Sequence, residues 1–460
     1  MLLAQKRRLG MFGIIMALAL PTMLEQLMHT AVQYIDTAMV GVLGTQATAA
    51  VGSTSTISWL VGSTTSALGV GFLSYIAKSM GAKNYDDARR ASAQAVFVVL
   101  TVGALLTIIT LSLSKAIPIL MNVDESIREL ASKYFFILYL PMLPRTASTI
   151  FGMVLRSSGD TKTPMLVGIG VNLTNVIMNF LLIYPTRKIM VFNVEINMWG
   201  ADMGVIGAAV ASAIAFTLGG VLITVVLFSH KRISPKGSIK PDKSILAPCF
   251  KVALPNMFQR FLTSSGYVVF ASMINSVGDV ATAAHTIANT VESAFYIPGF
   301  GMNTAAATLV GNAYGAKDRA QLDKVTRMFI PIEIILMIVS GTLLFIFAPS
   351  LMAIFSESDE VINLGATVLS MVAISEPFYG FSIIAEGFLL GVSNTKTPFK
   401  YNIIGMWGVR ILGTFILIRI CHFGLVAAWA AMIMHNLLIF VLYLACYLRK
   451  KWIPKVLRDI

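Results

Sequence analysis

Five polar residues interrupt an otherwise apolar stretch near the start of the chain: Thr22, Glu25, His29, Gln33 and Asp36. At 100° per residue they share about 80° of helical arc, so they form one stripe on one face. A carboxylate on such a stripe binds a proton or a cation if it lies away from bulk water, where an unpartnered charge is costly. Asp36 leads this set; its other reading is a structural carboxylate fixed in a hydrogen-bond network. Glu25, nearer the cytoplasmic end of the same face, reads either as part of the site or as a solvated gate residue. His29 reads either as a partner that titrates with Asp36 or as a packed neutral ring.

Further along, Asn172, Asn175 and Asn179 are spaced by three and four residues, which puts their amides on one helix face. With Ser212 they are expected to complete a pocket around Asp36, although the hydroxyl of Ser212 also suits inter-helix packing. A second stripe, His285, Asn289, Glu292 and Tyr296, spans about 60° in the later half of the chain. Glu376 and Glu386 share another segment, while Asn256, Gln259, Arg260 and Thr263 share a third. Arg260 is expected to pair with Glu376 or Glu292. A bound Na⁺, if there is one, falls to Asp36 or Glu376. Glu333 reads either as a buried site or as a residue of the lobe surface, and Arg410 as a counter-charge to another carboxylate, with neither placed.

The elements that must position these residues are membrane spans. The chain has 460 residues, of which 56% are hydrophobic and only 12% charged, against about 25% charged in soluble domains. Apolar runs separated by Gly, Pro and Lys/Arg breaks predict helices at 11–42, 47–80, 88–114, 126–155, 162–184, 200–229, 245–277, 281–313, 320–349, 358–390, 397–420 and 424–448. Lys6, Arg7 and Arg8 precede the first run, but that run extends from Gly10 to about Val42, too long for a signal peptide. With the N-terminus inside, the inside segments collect 25 Lys/Arg and the outside segments six, which orients both termini to the cytoplasm. The net charge of +13 thus has a topological reading, and no nucleic-acid partner is expected.

The spans repeat at an offset of 234 residues. Ala19-Leu20-Pro21 recurs as Ala253-Leu254-Pro255, Gly81-Ala82-Lys83 as Gly315-Ala316-Lys317, and Thr161-Lys162-Thr163-Pro164 as Thr395-Lys396-Thr397-Pro398. From Gly204, which matches Gly424, the offset is 220, leaving about 14 extra residues between Pro185 and Trp199 that read as an outside hairpin or loop. Six helices per copy is an even number, so the repeats are parallel and a substrate cleft between halves is expected. The predicted organisation is an N-lobe at 1–229, a cytoplasmic linker at 230–247 and a C-lobe at 248–460.

These residues resemble the multidrug and toxic compound extrusion (MATE) family. The resemblance is carried by PTMLEQLMHTAVQYIDTAMVG, by the paired loops MGAKNYDDARR and YGAKDRAQLDK, by the pair LRSSGDTKTP and LLGVSNTKTP, and by AAHTIANTVESAFYIPGFGMNTAAATLVG. It implies an all-α, V-shaped pair of six-helix lobes that exports organic cations or other amphipathic compounds in exchange for inward Na⁺ or H⁺. It also places Asp36 at the family's acidic position in the first helix and Ser212 at a family hydroxyl position. Two departures stand out: Asn179 sits where the family often has an acid, and the seventh helix carries Arg260 where relatives usually have a carboxylate. The 25 methionines and the aromatics suit an adaptable apolar pocket.

Competing classes fare less well. There is no GxxxxGK[ST], HExxH or GxSxG, so neither an ATP-driven pump nor a hydrolase is expected and no cofactor is implied beyond the coupling ion. Cys249, Cys421 and Cys446 lack metal or disulfide spacing and read as packing residues. A lipid-linked oligosaccharide flippase of the same superfamily is the alternative, with Arg260 and Arg410 as its deep cations. A major-facilitator transporter would show GxxxDRxGRR after its second helix, where this chain reads MGAKNYDDARR. The expected protein is a monomeric multi-pass transporter of the cytoplasmic membrane, in contact with lipid and a small substrate.

Overall fold

The computed structural model describes residues 10–458 apart from 122, 192 and 193, so the cluster Lys6, Arg7 and Arg8 lies outside the described residues. Nearly all of the chain is helical. In order come α1 (Met11–Gly41), α2 (Thr45–Gly81), α3 (Tyr85–Ser112), α4 (Glu125–Tyr139), α5 (Met142–Ser157) and α6 (Lys162–Leu182), then a hairpin of β1 (Pro185–Val191) and β2 (Val194–Ala201). There follow α7 (Gly204–Ser229), α8 (Lys243–Asn275), α9 (Asp279–Gly315), α10 (Arg319–Ala353), α11 (Asp359–Ala373), α12 (Glu376–Gly391), α13 (Lys396–Ile420) and α14 (Leu425–Leu448).

Two predicted spans are broken helices. The run at 126–155 divides into α4 and α5 at Leu140 and Pro141, because proline cannot continue the hydrogen-bond ladder. The run at 358–390 divides into α11 and α12, which meet at 55° with a proline in the first turn of α12. Counting each broken pair once, the helices α1 to α14 form twelve segments at the positions of the twelve expected spans. Eight single helices are long and apolar enough to cross a membrane on composition alone, and the α11–α12 pair adds a ninth. The remaining passages, α4–α5, α8 and α9, carry the prolines and polar residues that dilute their apolar character. Apolar side chains such as Ile108, Leu166 and Ile335 point outward, each more than 60% exposed, as the belt of a membrane protein requires.

The internal repeat is written into the backbone. Helix α2 ends with Asn84 N–H bonded to Ser79 O and Lys83 N–H to Met80 O, and α9 ends with Asp318 N–H bonded to Ala313 O and Lys317 N–H to Tyr314 O. These are matching six-to-one and five-to-two C-caps in the same register. Lys83 and Lys317 adopt the left-handed conformation at φ 58° and 54°, Gly159 and Ser393 at 86° and 63°, and Asp202 and His422 at 52° and 55°. The first two pairs are 234 residues apart and the third 220. Side chains repeat as well: Asp160 accepts from Thr163 N–H at 3.1 Å and Asn394 accepts from Thr397 N–H at 3.2 Å, each closing the turn before a helix.

The extra residues of the first copy form the antiparallel hairpin, pairing Pro185 with Ala201 and Arg187 with Met198. Arg187 stacks its guanidinium over Tyr184, 4.2 Å from the ring centroid, and Tyr184 O–H donates to Met39 O at 2.9 Å, tying the hairpin base to α1.

Packing divides the chain into two compact units that are not contiguous in sequence. One comprises residues up to Gln26, Leu73–Asn84 and Pro248–Ile460; the other comprises Leu27–Phe72 and Tyr85–Ala247. Thus α1 and α2 each contribute to both. The second of these units is built on Phe135, Tyr139, Met142, Ile183 and Ala209, all buried. The other holds a cluster around Phe329, Phe388 and Trp452 and another around Phe270, Leu369 and Trp429. Within that unit the first-repeat segments are closely fitted: Thr22 Oγ1 donates to Gly301 O at 2.9 Å and Ser74 Oγ to Leu390 O at 2.9 Å. Gly81 lies against the backbone of Asn312, and Gly315 against the backbone of Lys78.

Residues 230–247 are held against α3 by side chains of that helix. Gln94 Nε2 donates to Ser238 O at 3.2 Å and Lys240 O at 2.9 Å, while its Oε1 accepts from Asp242 N–H at 2.9 Å. Arg90 pairs with Asp242 at 2.7 Å, and Asp242 accepts from Ser244 N–H at 2.9 Å at the start of α8.

Candidate functional site

Asp36 lies on the last third of α1, partly buried, where α6 and α7 face it. Asn179 Nδ2 donates to Asp36 Oδ1 at 2.6 Å. The amide of Asn175, one turn earlier on α6, is satisfied with its nitrogen toward Asp36: it donates to Oδ1 at 2.7 Å and Oδ2 at 3.2 Å, and its oxygen accepts from Ser212 Oγ at 3.0 Å. The chain Ser212–Asn175–Asp36–Asn179 therefore joins three helices around one carboxylate. The spacing of four residues between Asn175 and Asn179 makes this bidentate embrace, since residues i and i+4 sit above one another on a helix.

The rest of the stripe on α1 does not gather there. Thr22 and Glu25 belong to the unit that holds Pro248–Ile460, whereas Asp36 belongs to the other. His29 and Gln33 are exposed on α1. A helix longer than one packing unit can carry a continuous polar stripe whose two ends serve different surroundings, and periodicity alone does not reveal the division.

The pocket suits a small monovalent cation or a proton. Among the described residues no three of His, Cys, Asp and Glu are grouped as metal ligands. Oxygen donors are nonetheless present: the Asp36 carboxylate and the Asn179 Oδ1, which is buried and accepts no hydrogen bond. Hard cations take oxygen ligands of this kind, and a proton needs only the carboxylate.

The other unit holds a second polar cluster. Glu292 on α9 and Glu376 on α12 are 5% and 1% exposed and repel one another electrostatically. Arg410 on α13, 3% exposed, attracts Glu292. Its guanidinium sits over Phe270 and Tyr267, 4.4 and 4.8 Å from the ring centroids. Arg410 occurs where α13 widens into a π-helical segment, Ile404–Ile411, a local distortion that re-aims side chains. His285 contacts Phe270 and Trp429 edge-on, and His435 is buried with neither ring nitrogen hydrogen-bonded. Glu376 Oε2 and Arg410 Nε are also buried without partners. His435 is the member that pattern reading missed, since a single histidine in an apolar run has no periodic signal.

Arg260 takes a different partner from the two expected. Its Nε donates to Asn256 Oδ1 at 3.0 Å, its electrostatic partner is Glu386, and among the described residues no ion pair joins it to Glu376 or Glu292. Glu386 also accepts from Gln259 Nε2 at 3.0 Å and, more weakly, from Asn402 and Tyr443 at 3.5 Å. That carboxylate is absorbed in a network of amides and a phenol. Asn289 is exposed and stands outside both clusters.

A repeated helical fold with buried carboxylates amid its membrane-crossing helices defines a multi-pass membrane protein built for small ions or solutes. The MatE family matches the chain twice, over residues 21–181 and 255–416, once in each repeat. The chain belongs to that family. It is 27% identical over 436 residues to a probable multidrug resistance protein NorM of Thermotoga maritima, covering 95% of this chain and 92% of that protein. It is 24% identical over 451 residues to a probable multidrug resistance protein YoeA of Bacillus subtilis, covering 95% and 94%. Among solved structures, an outward-facing multidrug resistance MATE family transporter of the MOP superfamily superposes with a TM-score of 0.88 at 21% identity, covering 99% of this chain and 98% of that one. A MOP superfamily transporter from Pyrococcus furiosus gives 0.85 at 22%, covering 95% and 96%. The shared fold is that of the MATE transporters.

Proposed function

We propose that this protein is a secondary active exporter of organic cations or other amphipathic compounds, driven by inward H⁺ or Na⁺ through alternating access in the cytoplasmic membrane, with both termini in the cytoplasm. The observation that carries the reading is the Asp36 carboxylate held by Asn175 and Asn179 within a membrane helix. Placing a charge there is expensive, and such residues are retained for transport of ions. Asp36 binds the coupling ion in one state and releases it in the other, and substrate leaves when the ion is bound. The multidrug resistance names of the relatives in Thermotoga maritima and Bacillus subtilis support the substrate class. Glu376 is the second candidate for an ion, by virtue of its unpartnered oxygen. The protein works as a monomer on this reading.

The test is uptake of a fluorescent organic cation into proteoliposomes, with H⁺ and Na⁺ gradients imposed separately. Uptake driven by one gradient and abolished in Asp36→Asn names the ion; wild-type rates in Asp36→Asn under every gradient refute the assignment. The buried Arg410 is the observation that favours a second reading, a flippase for lipid-linked oligosaccharide, whose anionic headgroup it would meet. No cation transport under either gradient turns the weight to it.

A further inference from the structure

Glu333 is a carboxyl that the site around Asp36 does not use. It lies on α10, about 20 Å or more from either end of that helix at 1.5 Å per residue, and is fully buried at 0% exposure. Neither of its oxygens has a hydrogen-bond partner. The space it occupies exists because of two glycines on neighbouring helices. A Cβ at Gly299 on α9 would lie 2.6 Å from Glu333 Oε1, and one at Gly380 on α12 would lie 3.5 Å from its Cγ. Met337 and Ile383 approach the same position of Gly299.

Gly299 follows Pro298, the only proline inside α9, and proline removes one rung of a helix ladder and bends it. About two turns further along α10, Ser340 Oγ donates to Phe295 O of α9 at 2.7 Å, and α12 begins after its 55° break from α11. A proline-containing helix and a broken pair of helices thus pack against the helix that carries one unpaired carboxyl. The ionisable groups on the helices packed against α10 are Asp279, His285, Glu292, Tyr296 and Tyr314 on α9, Asp359 and Glu360 at the start of α11, and Glu376, Tyr379 and Glu386 on α12. None of them bonds to Glu333, and none is a cation close enough to form an ion pair with it among the described residues.

We propose that Glu333 is a proton-binding site separate from the Asp36 pocket, carrying its proton in the conformation described here and exchanging it when α9 changes its bend at Pro298. An ionised carboxylate that is fully buried and has no protein partner is not tolerated at such a depth, so the group is held as the acid. The proton leaves only when a change of bend brings water or an acceptor to the oxygens. The step is a bare proton transfer to water, with no other bond broken.

The experiment is infrared spectroscopy of the protein in lipid membranes at neutral pH, reading the carbonyl stretch of protonated carboxylic acids, followed by proton release on adding a fluorescent organic cation in weak buffer. Glu333→Gln is expected to remove one component of the carbonyl band and to reduce proton release by a single proton, while Asp36→Asn leaves that component in place. A band unchanged in Glu333→Gln overturns the proposal, as does unchanged release. Should Glu333→Gln not fold, Gly299→Ala, whose methyl displaces the carboxyl, is expected to shift the same component in frequency; no shift counts against the site. The band is independent of whether Asp36 carries the coupling ion, so the two readings fail separately.

Discussion

Asn179 and Asp36 meet across α6 and α1 at 2.6 Å, the shortest polar contact in the pocket and one to a carboxylate. Bonds of this charge-assisted kind contribute about 1.5–3 kcal/mol, so their loss changes an equilibrium by about ten- to hundredfold. The amide favours the ionised carboxylate and so competes with a proton; where H⁺ is the coupling ion, Asn179→Ala is therefore expected to lower the half-saturating proton concentration by at least about tenfold on that conversion, with the folded protein recovered in normal yield. Ion titration of proteoliposome uptake reads this; an unchanged half-saturation point removes Asn179 from the site.

The linker prediction is one of pH. The Ser244 hydroxyl first, then the Ser244 N–H and the Arg90 guanidinium, hold the Asp242 carboxyl below the usual range. A carboxyl depressed in this way adds stability that is complete above the ordinary carboxylate range and is lost as pH falls through its own lowered value. A spin label on Lys236→Cys should thus be immobilised at neutral pH and become mobile on acidification. In Asp242→Asn it should be mobile already at neutral pH. A label whose mobility ignores both changes would show that the Arg90–Gln94–Asp242 contacts do not anchor the segment.

Reciprocal glycines give a stability prediction. A methyl at Gly81 or Gly315 runs into backbone that cannot rotate away, and overpacking of this kind costs about 1–3 kcal/mol. Gly81→Ala and Gly315→Ala should each lower the thermal midpoint in detergent. Gly170, in the middle of α6 with nothing within 4 Å of a Cβ, is the control: Gly170→Ala should be neutral or gain up to about 1 kcal/mol of helix propensity. Equal midpoints for all three variants would contradict the close crossing of α2 and α9.

Orientation is open to chemical labelling. With cytoplasmic termini, Lys236→Cys on the linker and Lys188→Cys on the hairpin lie on opposite sides of the membrane. An impermeant thiol reagent applied outside intact cells should modify the second and spare the first, in a background lacking Cys421, which is exposed. The reverse pattern would invert the topology.

Much of this architecture is legible in the chain because the repeat fixes it twice. The 234-residue register of Gly81-Ala82-Lys83 and Thr161–Pro164 places two helix ends in each half, and the structure returns the same caps and left-handed residues there. The Asn175 and Asn179 spacing likewise anticipates their shared carboxylate. What periodicity does not carry is tertiary allotment. It cannot divide α1 between two packing units, which is what separates Glu25 from Asp36, nor can it show that His29 is exposed. Nor can it show that Gln259, Asn402 and Tyr443 enclose Glu386, because those residues come from three separate stretches of chain. Breaks at Pro141 and ahead of α12 fall within apolar runs, where hydropathy is blind to direction.

The crossing at Gly81 and Gly315 has one more property. Lys78 and Asn312 are equivalent in the repeat, as are Gly81 and Gly315, so each glycine meets the counterpart of the residue that its own twin meets. A contact in which i touches j and j touches i is isologous, the form taken by a two-fold homodimer. This joint within one chain thus has, at these four residues, the reciprocity of a contact between two identical copies.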